Sequence, residues 1–333
     1  MDNERNVRFL SDADTAAALT WKDVIACLAS AYSSFFNPQA APPRAVARLD
    51  TGWLRTMAAI PPSGRYMGSK TIARARTRGV SYLIALWDRE TAELVCLLDG
   101  KTVTAMRTAA TSAVAVDHVM KAGGIRVAVL GSGGEAASHV RAIAAVRAIA
   151  ELTVFSPTPA SREGFARRFT AELGLACRAA ESPRDAIPGA DLVIAAARSR
   201  DETPILQGAW LRPGTMVVSI GSTLPEQREV DTEVIRRAEI IVADVPDEVG
   251  SETGDMLAAR DSGVPFEDRI VSLADVMQGR CPATLRADNI VLFKSVGSGL
   301  QDIAVSALCY ENAQQRGLGT VLPLGIAVKD GKK

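Results

Sequence analysis

The stretch from Ile125 to Ala150, IRVAVLGSGGEAASHVRAIAAVRAIA, limits this chain to few folds. From Arg126 to Leu130 it is apolar and β-branched without polar alternation, which predicts a strand buried on both faces of a parallel sheet. Parallel strands need a crossover, and the alanine-rich run to Ala150 supplies a helix. Gly131, Gly133 and Ala136 fill the pattern G-x-G-x-x-G/A: the first for the tight turn, the second so that backbone can approach a pyrophosphate, the third for close helix packing. The amides that open the helix, at Gly134 and Glu135, would face the phosphates. Glycine turns are common in alanine-rich chains, so the pattern alone is weak. Its place between a strand and a helix, with a second strand from Leu152 to Phe155 about 20 residues on, makes it a dinucleotide site. The plain alternative is a strand-to-helix turn that binds nothing.

The end of that second strand bears on cofactor choice. A carboxylate there would accept from the ribose 2′-hydroxyl and repel a 2′-phosphate. Here the chain offers Ser156, Thr158, Ser161 and Arg162, with no carboxylate before Glu163. Hydroxyls and an arginine suit a phosphate, so NADP(H) is favoured and NAD(H) stays open. The competing reading has Arg162 merely starting the next helix on a solvated face.

At 333 residues, the chain has room for two domains at about 150 residues each. Its 38 basic and 38 acidic side chains cancel, which gives no ground for a nucleic-acid or anionic-membrane partner. No apolar run is long enough to span a bilayer, and MDNERNVRF carries charge where a signal peptide would be apolar, so a cytoplasmic location is expected. The five cysteines lack CxxC spacing, which indicates neither a disulfide framework nor a zinc site. His118 and His139 are the only histidines. Histidine-dependent nucleophilic or metal chemistry has almost nothing to work with, and no metal site is expected.

Taken in order, Ser11–Leu19 and Trp21–Phe36 read as helices, the second with Val24, Leu28, Ala31 and Phe35 at helical spacing. Strands Ala45–Leu49, Trp53–Ile60, Tyr66–Ala73, Tyr82–Trp87 and Leu94–Leu98 make a mostly antiparallel sheet. A helix from Gly100 to Met120 precedes a Lys121-Ala-Gly-Gly hinge. After the second strand of the glycine-turn unit come a weak strand near Ala176–Ala179 and strands at Leu192–Ala197, Met216–Ile220, Ile240–Ala243 and Ile290–Phe293. Helices alternate with them at Leu206–Leu211, Thr232–Ala238 and Asp275–Gln278, and a last helix, Gly299–Gln315, is long enough to return to the first domain. The fold class is therefore α/β, a Rossmann-type doubly wound parallel sheet domain beside a smaller α+β domain, with a cleft expected between them.

The sheet region supplies cations, Arg44 after Pro-Pro, Lys70 in RYMGSK and Arg107 in the following helix. Paired basic side chains hold a carboxylate by charge-assisted hydrogen bonds. Taken singly, each reads as a solvated surface cation.

Across nearly its whole length the chain resembles the ornithine cyclodeaminase and mu-crystallin family. The matching segments are TVTAMRTAATSAVA, VAVLGSGGEAASH, GADLVIAAA, TPIL followed by WLRPGTMVVSIGS, the E-V-D of REVD, and FKSVGSGLQDIA. The resemblance implies a homodimer with a substrate-binding and dimerisation domain over 1–121, completed by the C-terminal helix over 299–333, and a dinucleotide domain over 122–298. It implies that Arg44, Lys70 and Arg107 bind the carboxylate and serve catalysis, and that Thr108 contacts a phosphate. Met57 would line the substrate pocket, and the segment Ser295 to Gly297 would lie beside the nicotinamide. The family lysine matches Lys70 in G-S-K-T-I, although a gap-free alignment would put Arg65 there. Lysine makes more chemical sense, because cationic neighbours would lower its pKa and let it pass a proton.

The chain departs from the family pattern in two places. Glu135 stands where the family's glycine turn has glutamine. True cyclodeaminases carry a GGDCPGKTEL-like segment whose aspartate handles the amine, whereas GSTLPEQREVD puts Thr223 at that position. Thr223 cannot act as a carboxylate base, and the segment resembles the ketimine-reductase branch. The expectation is an NAD(P)-dependent oxidoreductase acting on the C–N bond of a small amino or imino acid. The alternatives are an ammonia-eliminating cyclodeaminase with bound NAD and a crystallin-like NADPH binder without turnover.

Overall fold

Burial alternates along a strand where one face of its sheet is covered and the other is not. The computed structural model describes residues 6–34, 37–77, 79–324, 326 and 328. Contacts divide the chain into two compact units, Met1–Arg107 with Ser298–Lys333, and Thr108–Gly297. In the first, β1 (Val7–Leu10) leads into α1 (Asp12–Ala18) and α2 (Trp21–Ser33). Ser11 and Asp14 cap α1 reciprocally, and Thr20 caps α2 by accepting from the Asp23 amide. An antiparallel meander follows: β2 (Ala45–Leu49), β3 (Gly52–Ala59), β4 (Tyr66–Ala75), β5 (Gly79–Asp88) and β6 (Leu94–Asp99). Along β4, Tyr66, Gly68, Lys70 and Ile72 are buried while the residues between them are only partly so. α3 (Lys101–Val119) comes next, and the division between units falls inside it rather than at the following Lys121-Ala-Gly-Gly.

The second unit is an eight-stranded sheet, parallel throughout. Its elements are β7 (Ile125–Leu130), α4 (Gly134–Ala144), β8 (Ile149–Phe155), α5 (Pro159–Leu173), β9 (Cys177–Ala179), α6 (Pro183–Ala186), β10 (Leu192–Ala195), β11 (Thr215–Ser219), α7 (Thr232–Arg237), β12 (Ile240–Ala243), α8 (Pro246–Glu252), α9 (Gly254–Asp261), β13 (Ile270–Ser272), α10 (Leu273–Met277) and β14 (Ile290–Lys294). The strand order is β13-β12-β14-β11-β10-β7-β8-β9. From β7 the chain moves outward to β8 and β9, then restarts at β10 on the other side of β7. The reversal thus lies beside the glycine turn, and open α/β sheets take their ligands outside the carboxyl ends of the strands at such a point.

The chain then rejoins the first unit through α11 (Gly299–Arg316) and β15 (Thr320–Leu322). β15 pairs antiparallel with β1, which pairs parallel with β6, and α11 packs on α1, α2, β3, β4 and β5. The helix starts hard against β3, because a Cβ on Gly299 would lie 2.5 Å from the Ala58 carbonyl oxygen.

Several boundaries differ from expectation. The alanine-rich helix stops at Ala144, and Ile149 and Ala150 already belong to β8, where pairing with β7 outweighs helix propensity. The segment expected as a helix over Leu206–Leu211 is a single 3₁₀ turn, Gly208–Trp210. There Gly208 lies against the α7 backbone, 2.4 Å from the Glu233 carbonyl carbon for an added Cβ, and Pro213 follows. The strand expected to reach Ala197 ends at Ala195, because the Ala197 amide donates to Glu229 instead of a strand. The second helix ends at Ser33, and Phe35 and Phe36 lie outside the described residues. β1, β13, β15, α8 and α9 were not foreseen, being too short or too acidic to show a period.

Candidate active site

In the first unit, Lys70 stands on the covered face of β4, paired with Met57 of β3 and with Ile84 of β5. Its side chain is fully buried, and its Nζ donates to Asp302 Oδ1 over 2.9 Å. Arg107, also buried, donates from Nε to the same Oδ1 at 3.0 Å and from Nη1 to Gln301 Oε1 at 2.9 Å. Gln301 in turn donates to the Tyr32 hydroxyl at 2.7 Å, which fixes the first turn of α11 against α2. The Lys70 Nζ lies 5.3 Å from the Tyr82 ring centroid.

Burial lowers the Lys70 pKa to about 8, with Asp302 opposing the shift and Arg107 and Arg55 adding to it. The cationic neighbours expected from sequence do contribute, but desolvation is the larger cause. Lys70 is thereby able to exchange a proton near neutral pH.

Arg65, the other residue considered for the lysine position, lies just before β4 and pairs with Asp88, its own side chain 66% exposed. The structure therefore joins Lys70, and not Arg65, to Arg107. Met57 is buried beside Lys70, and half-buried Arg44 precedes Ala45, which pairs with Thr56. The family resemblance gives no role to Asp302 or Gln301, although both lie in FKSVGSGLQDIA; their partners are distant in the chain.

In the second unit, Gly131 adopts φ +123°, and a Cβ there would meet the Ala196 carbonyl oxygen at 2.7 Å. Only glycine fits. Gly133 and Gly134 face open space, Gly133 caps α4 without any side-chain bond, and Ala136 is fully buried. The start of an eleven-residue helix, with open space over two glycines, fits a dinucleotide pyrophosphate. Glu135 lies in that first turn. Beyond β8, Ser132 Oγ donates to Ser156 Oγ at 2.9 Å. Arg162 folds back so that its Nη1 donates to the Ser156 carbonyl at 3.1 Å, over the loop to the Thr158 cap of α5. Ser156, Thr158 and Arg162 are thus neighbours. Thr108 follows Arg107 on α3, and its carbonyl accepts from Ser112 Oγ at 3.3 Å. His139 is fully buried, bonded to Ser112 Oγ and the Glu135 carbonyl, and burial lowers its pKa to about 4.

A polar network unforeseen in the sequence closes the carboxyl ends of β10, β11 and β14. Buried Glu229 accepts from Ser219 Oγ (2.7 Å) and from the amides of Ile220 (2.9 Å), Gly221 (2.8 Å) and Ala197 (3.2 Å). Buried Lys294 donates to Ser219 Oγ (2.9 Å) and Asp255 Oδ2 (2.8 Å), while Asp255 Oδ1 accepts the Glu229 amide. Desolvation raises the Glu229 carboxyl to about 7, against the pull of Lys294. In the loop after β11, the Thr223 amide and hydroxyl both donate to Gln227 Oε1, at 2.9 and 3.2 Å. The Ser295 hydroxyl and the Val296 and Gly297 amides donate to Asp244, so this segment, expected beside the nicotinamide, is itself held by a carboxylate at the end of β12.

The chain is similar to known proteins along most of its length. The sequence profile of the ornithine cyclodeaminase/mu-crystallin family matches residues 7–317. The chain is 31% identical over 301 residues to a Delta(1)-pyrroline-2-carboxylate/Delta(1)-piperideine-2-carboxylate reductase of Azospirillum brasilense, covering 88% of this chain and 91% of that protein. It is 30% identical over 229 residues to the ketimine reductase mu-crystallin of Mus musculus, covering 69% and 68%. Among solved structures, Thermococcus litoralis Delta(1)-pyrroline-2-carboxylate reductase in complex with NADH and L-proline superposes with a TM-score of 0.87 at 27% identity, covering 94% of this chain and 99% of that one.

Proposed function

The chain belongs to the ornithine cyclodeaminase/mu-crystallin family, and from that premise we propose that it is an NAD(P)-dependent reductase of a small, carboxylate-bearing imine. The observation that carries the reading is the buried Lys70 with its pKa near 8, bonded to Asp302 beside Arg107. Gly131–Ala136 would hold the pyrophosphate of a nicotinamide dinucleotide, which when bound in its reduced form would supply a hydride to the imine carbon. Arg107 and Arg44 hold the substrate carboxylate and orient the C=N bond. Lys70 gives its proton to the nitrogen, so that the double bond gains one hydrogen at carbon and one at nitrogen. Met57 and Thr223 border the substrate. Thr223 offers a hydroxyl where a cyclodeaminase needs a carboxylate, which favours reduction over loss of ammonia.

NADP(H) is the preferred cofactor in this reading, supported by Arg162 over a serine- and threonine-lined loop without a carboxylate. Thr108 and the Ser295–Gly297 segment complete the cofactor site. The working unit is a homodimer, supported by Leu54 (47% exposed) and Leu83 (49%), which stand on the sheet face opposite Lys70. Sedimentation as a monomer at micromolar concentration would remove that part. Among the described residues, no helix is long and apolar enough to cross a membrane.

The deciding experiment is a panel of cyclic imines and α-amino acids assayed with NADPH and with NADH. Imine-dependent cofactor oxidation is the expected result. Ammonia release from ornithine with bound NAD alone would turn the reading to a cyclodeaminase. Tight NADPH binding without turnover on any substrate would turn it to a binding protein.

A further inference from the structure

We propose that Asp302 is the positioning residue for proton delivery, one carboxylate oxygen holding the Lys70 ammonium and the Arg107 guanidinium together; this rests on the reading of Lys70 as proton donor. The geometry is a three-way junction of β4, α3 and α11, with Oδ1 accepting at 2.9 Å from Lys70 and at 3.0 Å from Arg107. The carboxylate is not needed by its own helix, because Ser298 caps α11 through the Gln301 amide. Its second oxygen, Oδ2, is buried and has no hydrogen-bond partner among the described residues. Such a carboxylate costs free energy unless the cations it faces require it.

The charged and titratable groups around Lys70 come from every element packed on it: Arg55 from β3, Tyr82 from β5, Arg107 from α3 and Asp302 from α11. Of these, Asp302 alone is a carboxylic acid. Removing it would leave a buried ammonium between two guanidinium groups, and that ammonium would release its proton. The lysine would then be neutral at the pH where it must donate. Asp302 also holds the Lys70 ammonium in place by accepting from its Nζ, while Gln301, one residue earlier on α11, holds Arg107.

The test is imine reduction by the full-length enzyme between pH 6 and 10 for wild type, Asp302→Asn and Asp302→Glu, with NADPH affinity from fluorescence titration. In wild type, kcat should fall as pH rises through about 8. For Asp302→Asn, this alkaline limb should move down by at least about one pH unit, cutting kcat at least about fivefold at pH 8 with recovery towards pH 6. NADPH affinity should hold within about twofold, since the dinucleotide contacts are elsewhere. Asp302→Glu, which keeps the charge, should keep the wild-type limb even if its rate drops. An Asp302→Asn loss that is equal at every pH, or an unmoved limb, overturns the proposal. If Asp302→Asn fails to fold, a displaced limb in Asp302→Glu does so.

A second reading needs no turnover and so separates failure here from failure of the proposed function. Lys70 has a folded pKa below its unfolded value, so wild-type stability rises with pH from about 8 to 10.5 as the folded state sheds a proton that the unfolded state keeps. In Asp302→Asn that rise should begin at lower pH, and it should vanish when Lys70→Met is added. Identical melting-temperature profiles with and without Asp302 would sink the proposal even for an enzyme that reduces no imine offered.

Discussion

Replacing Lys70 by methionine tests the assignment of the proton donor most directly. Methionine matches the length of the lysine stem and suits a site with no solvent exposure. Moving the ammonium from 10.5 to about 8 means that the folded site disfavours the charged lysine by about 3 kcal/mol. Methionine removes that burden. Asp302 keeps its bond from Arg107, so the cost should stay below the ~3–5 kcal/mol of an abandoned buried charge. The protein should fold and bind NADPH as wild type does, because the glycine turn holds the cofactor. At pH 7 the wild-type lysine is protonated by about ten to one, so turnover should drop by the full worth of a general acid, about 10²- to 10⁴-fold. Lys70→Arg should fail nearly as badly, since a guanidinium keeps its proton. The assay follows NADPH oxidation by a cyclic imine carboxylate, with fluorescence titration of NADPH as the control. Retention of most activity by Lys70→Met, together with its loss in Arg65→Met, would refute the reasoning and restore the gap-free alignment.

The other expectations concern the cofactor and the reaction branch. Arg162→Ala should weaken NADPH binding by about tenfold, the worth of one charge-assisted contact, and leave NADH nearly unchanged; equal or tighter binding of NADH by wild type in the same titration removes the 2′-phosphate pocket. Gly131→Ala forces a left-handed backbone on alanine and a 2.7 Å contact with the Ala196 carbonyl, a strain of about 1–3 kcal/mol. It should lower the melting temperature and loosen both cofactors, and unchanged cofactor affinity would show that the turn does not carry the pyrophosphate. With Thr223 in place of a carboxylate, ornithine should yield no proline and ammonia at a useful rate, which an ammonia assay with NAD alone can contradict.

How much of this was legible in the sequence depended on the range of the cause. β3 to β6 can be read because period-two alternation is a local consequence of one covered sheet face, whereas Ala45–Leu49 is exposed throughout and is marked only as a short run between turn residues. The glycine turn could be read because its first requirement, a positive φ at Gly131, is local, whereas the Ala196 carbonyl that also excludes a Cβ comes from just beyond β10, distant in the chain. Short strands such as Ile270–Ser272 and Thr320–Leu322 could not, since three residues show no period and their pairing partners are distant.

Buried charge marks the harder limit. Lys70 finds Asp302 across 232 positions, and Lys294 finds Asp255 across 39. A lone lysine or aspartate in a sequence is read as solvated, because that is where most of them are. Burial reverses the inference only once a partner is known, since an ionised group leaves water at a cost of several kcal/mol unless an opposite charge meets it. Family resemblance brought Lys70 and Arg107 forward without their shared carboxylate, although Asp302 and Lys294 both stood in the quoted FKSVGSGLQDIA. Motif matching recovers which residues recur, whereas the electrostatic reason for Lys70 being a usable acid lies in the junction of β4, α3 and α11. That junction also explains why cationic neighbours alone were an incomplete account. Two guanidinium groups and burial would strip the lysine of its proton, and the carboxylate on α11 is what offsets them enough to leave a donor near pH 8.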